Sequence, residues 1–181
     1  FGGIGGASAR GILVKGGNYL EALARTERIV FDKTGTLTKG VFHVQKIHLS
    51  DTESNMDDNS YNKNDLQDMR KQELLELAAH AEHFSNHPIS LSLKQAYGRE
   101  IIPDRISDTE EISGHGVRAV VDAREILVGN EKLMRQYGIP YLEEEVSGTI
   151  VHIAVNRQYA GYILIADEIK EDALSSIRQL K

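Results

Sequence analysis

Short apolar runs joined by tight turns constrain the fold of this chain more than any other feature of its sequence. One such run ends near Ile112, and the next two span residues 117–121 and 125–128. Two further runs cover residues 149–155 and 159–165. Tight turns connect antiparallel strands, whereas a parallel pair needs a crossover of about a dozen residues or more. We therefore predict that these segments form a mainly antiparallel sheet.

Helical periodicity occupies much of the remaining sequence. Apolar side chains recur at helical spacing over residues 18–25 and again over residues 70–81. Pro88 suits the first position of a further helix, where its missing N–H costs nothing, and Gly98 suits the end of that helix. The pattern also predicts a short helix near residues 130–137 and an amphipathic helix over residues 166–181.

Other segments are shorter or more polar. Residues 1–10 are rich in glycine, which loses much backbone entropy on ordering, so we interpret them as a connector. Residues 12–14 and 29–31 are predicted to form short buried strands, and residues 41–49 another strand. Residues 51–69 contain six acidic residues and one Lys, with few core-forming side chains, and are predicted to be a solvated loop.

Composition excludes several classes of protein. The 181 residues are 40% apolar and include 21 Lys and Arg, 27 Asp and Glu and no Cys. The absence of Cys excludes a thiolate nucleophile and a Cys-ligated zinc site. An acidic balance without a basic run argues against nucleic-acid binding. No apolar run approaches the roughly 18 to 20 residues that cross a bilayer. Since the chain begins in a glycine-rich stretch and ends in a helical pattern, we expect it to be part of a longer polypeptide.

A polar turn of sequence DKTGTLT follows the predicted strand at residues 29–31. The carboxylate of Asp32 could act as a nucleophile toward a phosphoryl group and form an aspartyl phosphate. Asp32 and the Thr34 carbonyl could help to hold Mg²⁺. Thr36 and the backbone N–H groups of the turn could receive the phosphate, with Gly35 allowing close approach. Alternatively, Asp, Thr and Gly favour a plain turn for local hydrogen-bonding reasons.

A second group of polar and glycine residues lies further along the chain. Glu82 precedes a His87-Pro88 pair by five residues, a Gly-His-Gly sequence follows at residues 114–116, and Asn130 comes after a further short strand. Each piece alone is a weak signal, because a single Gly-x-Gly is more often a turn than a ligand cradle. His80, His83 and His87 have a spacing that could also suggest a zinc site. Pro88 places a helix boundary beside His87, so we expect His80 and His83 to be structural or solvated.

These motifs together resemble a known family. DKTGTLT resembles the phosphorylation motif of P-type ATPases, within the haloacid dehalogenase-like superfamily. The second group, in this order, resembles the nucleotide-binding domain of heavy-metal (type IB) P-type ATPases, with matches at Glu82, His87, Gly114, Gly116 and Asn130. The sequences GILVKGGNYLEALA and ADEIKEDA are similar to the flanking parts of the phosphorylation domain. The sequences GHGV and ADEIK resemble the branch that transports zinc, cadmium or lead more than the copper branch.

The resemblance implies a fold and a division into domains. The implied fold is an α+β nucleotide-binding domain, a mainly antiparallel sheet with flanking helices, inserted in an incomplete α/β haloacid dehalogenase-like phosphorylation domain. Residues 1–41 would supply the connector and the first part of the phosphorylation domain. Residues 42–165 would form the nucleotide-binding domain, and residues 166–181 would begin the return.

The resemblance also implies a function. ATP, bound with Mg²⁺, would be presented to Asp32, the phosphorylated nucleophile, to drive metal transport. Glu82 would accept from the adenine amino group, His87 would orient the nucleotide, Gly114 and Gly116 would let backbone approach it, and Asn130 would hydrogen-bond it. The implied partners are ATP and the rest of the same polypeptide, namely its actuator, remaining phosphorylation and transmembrane parts, but not nucleic acid. The chain would be a cytoplasmic portion of an integral membrane protein that binds nucleotide without turnover, and the transported ion would bind elsewhere.

Three alternatives stay open at this point. The chain could belong to a soluble haloacid dehalogenase-like phosphatase, although Thr34 stands where related phosphatases often carry a second Asp as acid and base. It could belong to the copper-transporting branch of the same ATPase family. It could also be a metal-binding regulatory module built on His80 and His83.

Overall fold

A six-stranded antiparallel sheet organises the chain in the computed structural model, which describes residues 2–50 and 63–180. The strand order is β1-β6-β5-β4-β3-β2, and every neighbouring pair is antiparallel, so the prediction of an antiparallel sheet is confirmed. The strands are β1 (Thr38–Leu49), β2 (Ile106–Ile112), β3 (Gly116–Val121), β4 (Arg124–Gly129), β5 (Thr149–Val155) and β6 (Gln158–Ile169).

Six helices accompany the sheet in the described residues, namely α1 (Gly2–Ser8), α2 (Gly17–Ala24), α3 (Lys63–Ala81), α4 (Pro88–Tyr97), α5 (Glu131–Gln136) and α6 (Ala173–Gln179). Helices α3 and α4 cover one face, where their buried Leu and Ala side chains pack with Ile126 and Val128 of β4. Helix α5 covers the other face, where Leu133 and Met134 pack with Leu127. The alternation of neighbours along β4 follows from the two-residue period of a strand. None of these helices combines the length and the apolar character needed to span a bilayer.

Five sequence predictions differ from the structure in their extent or type. Residues 2–8, predicted as a connector, form α1. Helix α3 begins at Lys63 rather than near residue 70, so the predicted loop at 51–69 is partly helical, and residues 51–62 lie outside the described residues. Strand β6 continues to Ile169 because its residues there pair with β1. The predicted helix over 166–181 is therefore confined to α6.

The two short strands predicted near the N-terminus are absent. Residues 12–14 and 29–31 have no regular structure, and Leu13 and Val30 are 86% and 96% exposed. A strand needs a neighbour for its backbone N–H and C=O groups. No strand in the described residues lies beside either segment. Apolar content alone was therefore an insufficient guide to structure here.

Strands β1 and β6 project beyond the rest of the sheet as a two-stranded ribbon, formed by residues 38–44 and 165–169. Ile165 is the last β6 residue that also pairs with β5, through Thr149. The pairing with β1 continues to Ile169, so the ribbon extends about 13 Å further at about 3.3 Å per residue. Its register shifts near Gly40, whose φ is +71°. The ribbon thus carries the DKTGTLT turn away from the sheet.

The buried Gly161 allows β1 and β6 to lie close together. A Cβ at Gly161 would lie 2.0 Å from the carbonyl oxygen of His48, and Gly161 has φ of +146°. Gly161→Ala is therefore expected to lower the free energy of unfolding by about 2 to 4 kcal/mol, measured by urea denaturation. Gly5→Ala is the control, because a Cβ there meets nothing within 4 Å. Equal stability of the two variants would contradict this account of the β1–β6 contact.

Candidate functional site

The loop between α3 and α4, residues 82–87, is shaped by the start of α4. Pro88 occupies the first turn of the helix, and His87 caps it by accepting a hydrogen bond at Nδ1 from the N–H of Ile89, at 3.3 Å. Gly98 ends the helix in the left-handed conformation, at φ of +64°. The predicted helix boundary at Pro88 is therefore confirmed. Because its Nδ1 accepts this bond, the neutral His87 ring carries its proton on Nε2, and the side chain is exposed.

Glu82 is the first residue of this loop and is only 7% exposed. Its Oε2 accepts a hydrogen bond of 2.6 Å from Ser90 Oγ. Burial raises the pKa of the Glu82 carboxyl, because it penalises the charged form. The hydroxyls of Ser90 and Ser85 and the nearby His87 oppose that rise, and Glu111 adds to it. The carboxyl is thus partly engaged by the protein itself.

The glycines at 114 and 116 serve different physical purposes. A Cβ at Gly116 would lie 2.2 Å from the carbonyl oxygen of Val128, so this glycine allows β3 to approach β4. Gly129, which pairs with Gly116 across the two strands, is similarly close to the carbonyl oxygen of His115. Gly114 has φ of +71° but open space where its Cβ would be. Of the two predicted binding glycines, Gly114 has the space beside it that a ligand needs.

Asn130 ties the glycine turn to α5. Its Oδ1 accepts from the N–H groups of Lys132 and Leu133, at 3.0 and 3.3 Å, and so caps the helix. Its Nδ2 donates to the Gly114 carbonyl at 2.9 Å, and its backbone N–H donates to the His115 carbonyl at 2.8 Å. The side chain therefore has a clear structural role in addition to the predicted binding role.

The predicted nucleotide-binding residues lie at one end of the sheet. Gly116 pairs with Ile112 of β2 and with Gly129 of β4, and Asn130 follows directly. Glu82 lies near them as well, close enough to Glu111 of β2 and to His87 for their charges to influence the pKa of its carboxyl. The fold thus gathers residues from positions 82 to 130 at the same end of strands β2, β3 and β4.

The DKTGTLT segment forms an exposed turn. Asp32, Thr34 and Thr36 are all exposed, and Gly35 has φ of +79°. The buried Thr38 hydroxyl closes the turn, since it contacts the Lys33 carbonyl at 3.0 Å and accepts from the Gly35 N–H at 3.2 Å. The turn predicted from sequence is confirmed, with Asp32, Thr34 and Thr36 exposed to solvent.

The end of β6 anchors this turn. Thr38 Oγ1 hydrogen-bonds with Oδ2 of Asp167. The Lys170 side chain donates to the Gly35 carbonyl at 2.8 Å, and the Lys170 N–H donates to the Leu37 carbonyl at 3.0 Å. The ADEIK segment therefore holds the DKTGTLT turn directly.

The turn and the predicted nucleotide-binding residues face the same end of the sheet but are separated. Thr38 on β1 lies four strand spacings from Gly116 on β3, about 19 Å at about 4.8 Å each. The two groups are also offset along the strand direction. Gly116 lies at the same height in the sheet as Tyr162 of β6, whereas Thr38 pairs with Ile169, seven residues beyond Tyr162, an offset of about 23 Å. A ligand held by one group would need movement of the ribbon to reach the other.

The donors near Asp32 suit a magnesium ion that keeps much of its hydration. Mg²⁺ commonly binds through one or two carboxylates together with waters and substrate phosphates. Asp32 and the Thr34 carbonyl, both in an exposed turn, supply donors of that kind. In the described ranges, no three His, Asp or Glu side chains group together as a complete metal site.

His80 of α3 and His83 of the following loop make separate contacts within the protein. His80 is fully buried, its Nδ1 lies 2.8 Å from the Glu76 carbonyl oxygen, and its ring contacts Tyr97. His83 packs edge-on against Phe84.

Several residues that contact the candidate site could not be identified from sequence motifs. Ser90 and Lys94 contact residues 82–85 across the turn between two helices, and Asp167 contacts Thr38 from 129 positions away. Polar residues in a helix pattern are ordinarily assigned to its solvent face. Gly129 could have been found, because it directly precedes Asn130 in a predicted strand end.

The raised pKa of Glu82 predicts a pH-dependent effect on stability. A carboxyl whose folded-state pKa exceeds its ordinary value of 4.5 stabilises the fold below that pH, and this contribution is lost as the pH rises through the folded-state pKa. Glu82→Gln cannot ionise yet can still accept from Ser90. Its stability relative to the natural chain is therefore expected to increase from pH 4.5 to neutrality, in urea denaturation at a series of pH values.

Glu125→Gln is the control of opposite sign. The Arg118 guanidinium lowers the pKa of the Glu125 carboxyl through a hydrogen bond of 3.0 Å. Its contribution to stability is present at neutral pH and is lost as the pH falls through the lowered pKa. The Gln variant should therefore be less stable than the natural chain at neutral pH. The same trend in both variants would exclude this account of Glu82.

Comparisons with known proteins agree with the motifs. Residues 26–181 match the family model of haloacid dehalogenase-like hydrolases. The whole chain aligns at 48% identity with a zinc-transporting ATPase of Synechocystis sp., covering 23% of it. It aligns at 50% identity with a cadmium, zinc and cobalt-transporting ATPase of Bacillus subtilis, covering 24% of it. The chain thus spans about a quarter of the length of these relatives.

A solved structure agrees with them. The crystal structure of a zinc-transporting PIB-type ATPase in its E2.Pi state superposes with a TM-score of 0.69 at 27% identity, over 98% of this chain and 28% of that one. The predicted fold class and the predicted resemblance are confirmed. The chain therefore belongs to the haloacid dehalogenase-like hydrolase family, and within it is similar to heavy-metal-transporting P-type ATPases.

Proposed function

We propose that this chain presents ATP to Asp32 in a P-type ATPase that transports zinc, cadmium or lead. One observation carries the proposal: the group from Glu82 to Asn130 and the Asp32 turn lie at the same end of one sheet, joined by the two-stranded ribbon. Zinc and cadmium are supported by the transport named for the relatives at 48% and 50% identity, and lead by the sequence resemblance alone. The copper-transporting branch is the second candidate within the family.

The nucleotide base is bound by the group at the sheet end. His87 presents its exposed Nε2–H to a ring nitrogen, since its Nδ1 is used in capping α4. Glu82 accepts from the adenine amino group through the carboxyl oxygen that Ser90 does not occupy. Gly114 leaves open space for the ligand, and Gly116 allows β3 and β4 to lie close together. Asn130 holds the Gly114 carbonyl in place through a hydrogen bond.

Asp32 receives the phosphoryl group. A carboxylate oxygen forms a bond to the γ-phosphorus as the bond from that phosphorus to the β–γ bridging oxygen breaks, and ADP leaves with that electron pair. Thr36 and the backbone N–H groups of the turn bind the phosphoryl oxygens. Mg²⁺, held by Asp32 and the Thr34 carbonyl, would neutralise phosphate charge when bound.

The position of Thr34 favours a lasting aspartyl phosphate. Related phosphatases often have a second Asp there, which moves the protons needed for rapid hydrolysis. A threonine hydroxyl is a poor general base at neutral pH. The slower hydrolysis suits a transporter, whose phosphorylated state must last through a conformational change. The phosphatase alternative lacks this support.

The domain assignment follows from the proposed function. Residues 1–41 and 166–181 belong to the phosphorylation domain, and residues 42–165 to the nucleotide-binding domain. The ribbon crosses both boundaries, because β1 begins at Thr38 and β6 ends at Ile169. The partners are ATP and the actuator, transmembrane and remaining phosphorylation parts of the same polypeptide. The assembly is an integral membrane protein with this portion in the cytoplasm and the transported ion bound elsewhere.

The binding site can be tested by calorimetric titration of the 181-residue chain with ATP. We expect a Kd of roughly tens of micromolar to a millimolar, about −4 to −6 kcal/mol. His87→Ala and Gly114→Asp should abolish measurable binding, because the first removes the exposed donor and the second fills the open space beside a left-handed backbone. His83→Ala is the control, since that ring packs on Phe84. Unchanged affinity in His87→Ala and Gly114→Asp would reject the site.

The role of Asp32 can be tested in the intact ATPase that contains this chain. Incubation with ATP labelled at the γ-phosphate should give an acid-stable phosphoprotein that increases with Zn²⁺, Cd²⁺ or Pb²⁺, and Asp32→Asn should abolish the label. Asp104→Asn, at an exposed position outside the turn, is the control. Stimulation by copper alone would assign the copper branch. Rapid phosphate release from small phosphoesters without a stable label would favour the phosphatase.

A further inference from the structure

Helix α4 carries two side chains, Ser90 and Lys94, that contact the loop at residues 82–87 and are not themselves exposed. Ser90 is 2% exposed, and its Oγ lies 2.6 Å from Glu82 Oε2 and 2.9 Å from Ser85 Oγ. Ser85 Oγ in turn accepts from the His87 N–H at 3.3 Å. The chain of contacts therefore runs from the buried carboxyl to the backbone of the exposed His87.

Two hydrogen bonds in this chain have a clear donor. Ser90 Oγ donates to Glu82 Oε2, and the His87 N–H donates to Ser85 Oγ. The hydroxyls of Ser90 and Ser85 lie 2.9 Å apart and connect the two. Removing the Ser90 hydroxyl would leave a buried carboxyl oxygen without that donor and would release Ser85.

Lys94 hydrogen-bonds to the backbone of the same loop. Its ammonium group donates to the Ser85 carbonyl at 2.7 Å and to the His83 carbonyl at 3.1 Å. A lysine beside a nucleotide site would ordinarily be assigned to phosphate binding. Here two of its three donors are directed to backbone carbonyls of the loop, and the group is half-buried.

We infer that Ser90 and Lys94 are positioning residues for nucleotide binding, which preorganise the 82–87 loop so that Glu82 and His87 face one ligand. The inference rests on the proposed function, because it assigns the means by which that site is held. A preordered loop does not lose its freedom when ATP binds, so affinity is higher than in a mobile loop. Neither residue touches the nucleotide.

The test is calorimetric titration of the 181-residue chain with ATP. Ser90→Ala and Lys94→Met should each weaken binding by about three- to tenfold, the range set by one or two hydrogen bonds. Ser92→Ala is the matched control: Ser92 is a buried serine of the same helix, but it bonds to the Phe42 and Pro88 carbonyls. Lys71→Met, on α3, is the control for the lysine. Both controls should retain the affinity of the natural chain.

Two further readouts separate positioning from general stability. In Ser90→Ala the amides of His87 and Ile89 should exchange hydrogen faster without ATP, whereas in Ser92→Ala they should not. The double variant with Ser85→Ala should bind ATP no more weakly than Ser90→Ala alone, since both lie in one chain of bonds. Additive losses would overturn the relay from Ser90 through Ser85.

The outcomes distinguish this inference from the function on which it rests. If His87→Ala abolishes binding while Ser90→Ala and Lys94→Met bind as tightly as the natural chain, the positioning role is wrong and the site stands. An equal loss in Ser92→Ala would likewise overturn it, as a general effect of the helix. If His87→Ala binds normally, the proposed site fails and this inference with it.

Discussion

The pairing of β1 with β6 is the interaction on which the rest of the molecule depends. It joins Thr38–Leu49 to Gln158–Ile169, segments separated by more than a hundred residues, along almost their full length. The residues between these two strands thereby form one insertion, whose first and last residues lie next to each other. The same pairing brings Asp167 to Thr38 and Lys170 to Gly35. A long-range contact of this kind costs loop-closure entropy, which grows only slowly with the length enclosed.

Within that insertion, the residues of the proposed nucleotide site are held by local contacts. Glu82 and Ser90 are eight residues apart, and Asn130 reaches Gly114 across one hairpin. The close approach of β3 and β4 depends on Gly116 and Gly129, where any side chain would collide with the facing backbone. The shape of this group therefore does not depend on contacts with the ribbon. A site connected to the rest of the chain by a narrow ribbon is consistent with the proposed delivery of a ligand to the DKTGTLT turn.

The sequence predicted the elements whose signals are local. Strands β2 to β5, the break at Pro88 and the ends of α4 follow from turn length, periodicity and helix capping. It failed at residues 29–31, because a strand depends on a neighbour that composition does not reveal. It also ended β6 too early, since the polar residues of the ribbon resemble a helix start when the partner β1 is not considered. For the site, motifs identified exposed groups such as His87 and Asp32, whereas the buried Ser90 depended on tertiary contact.

The charges around this end of the sheet bear on which part of ATP the proposed site would recognise. Lys94 is engaged by loop carbonyls, and Arg118, two residues after Gly116, pairs with Asp108 and Glu125 at 2.9 and 3.0 Å. Cations held in this way interact weakly with a phosphate, since their charge is already neutralised or their donors used. Glu82 is influenced by the charges of both Glu111 and His87, so a carboxyl pair lies at this end of the sheet. This arrangement disfavours phosphates beside Glu82 and supports the proposal that the base would bind there, with the triphosphate directed away. The proposed acceptor of the terminal phosphate, the exposed Asp32 in the DKTGTLT turn, lies beyond the ribbon.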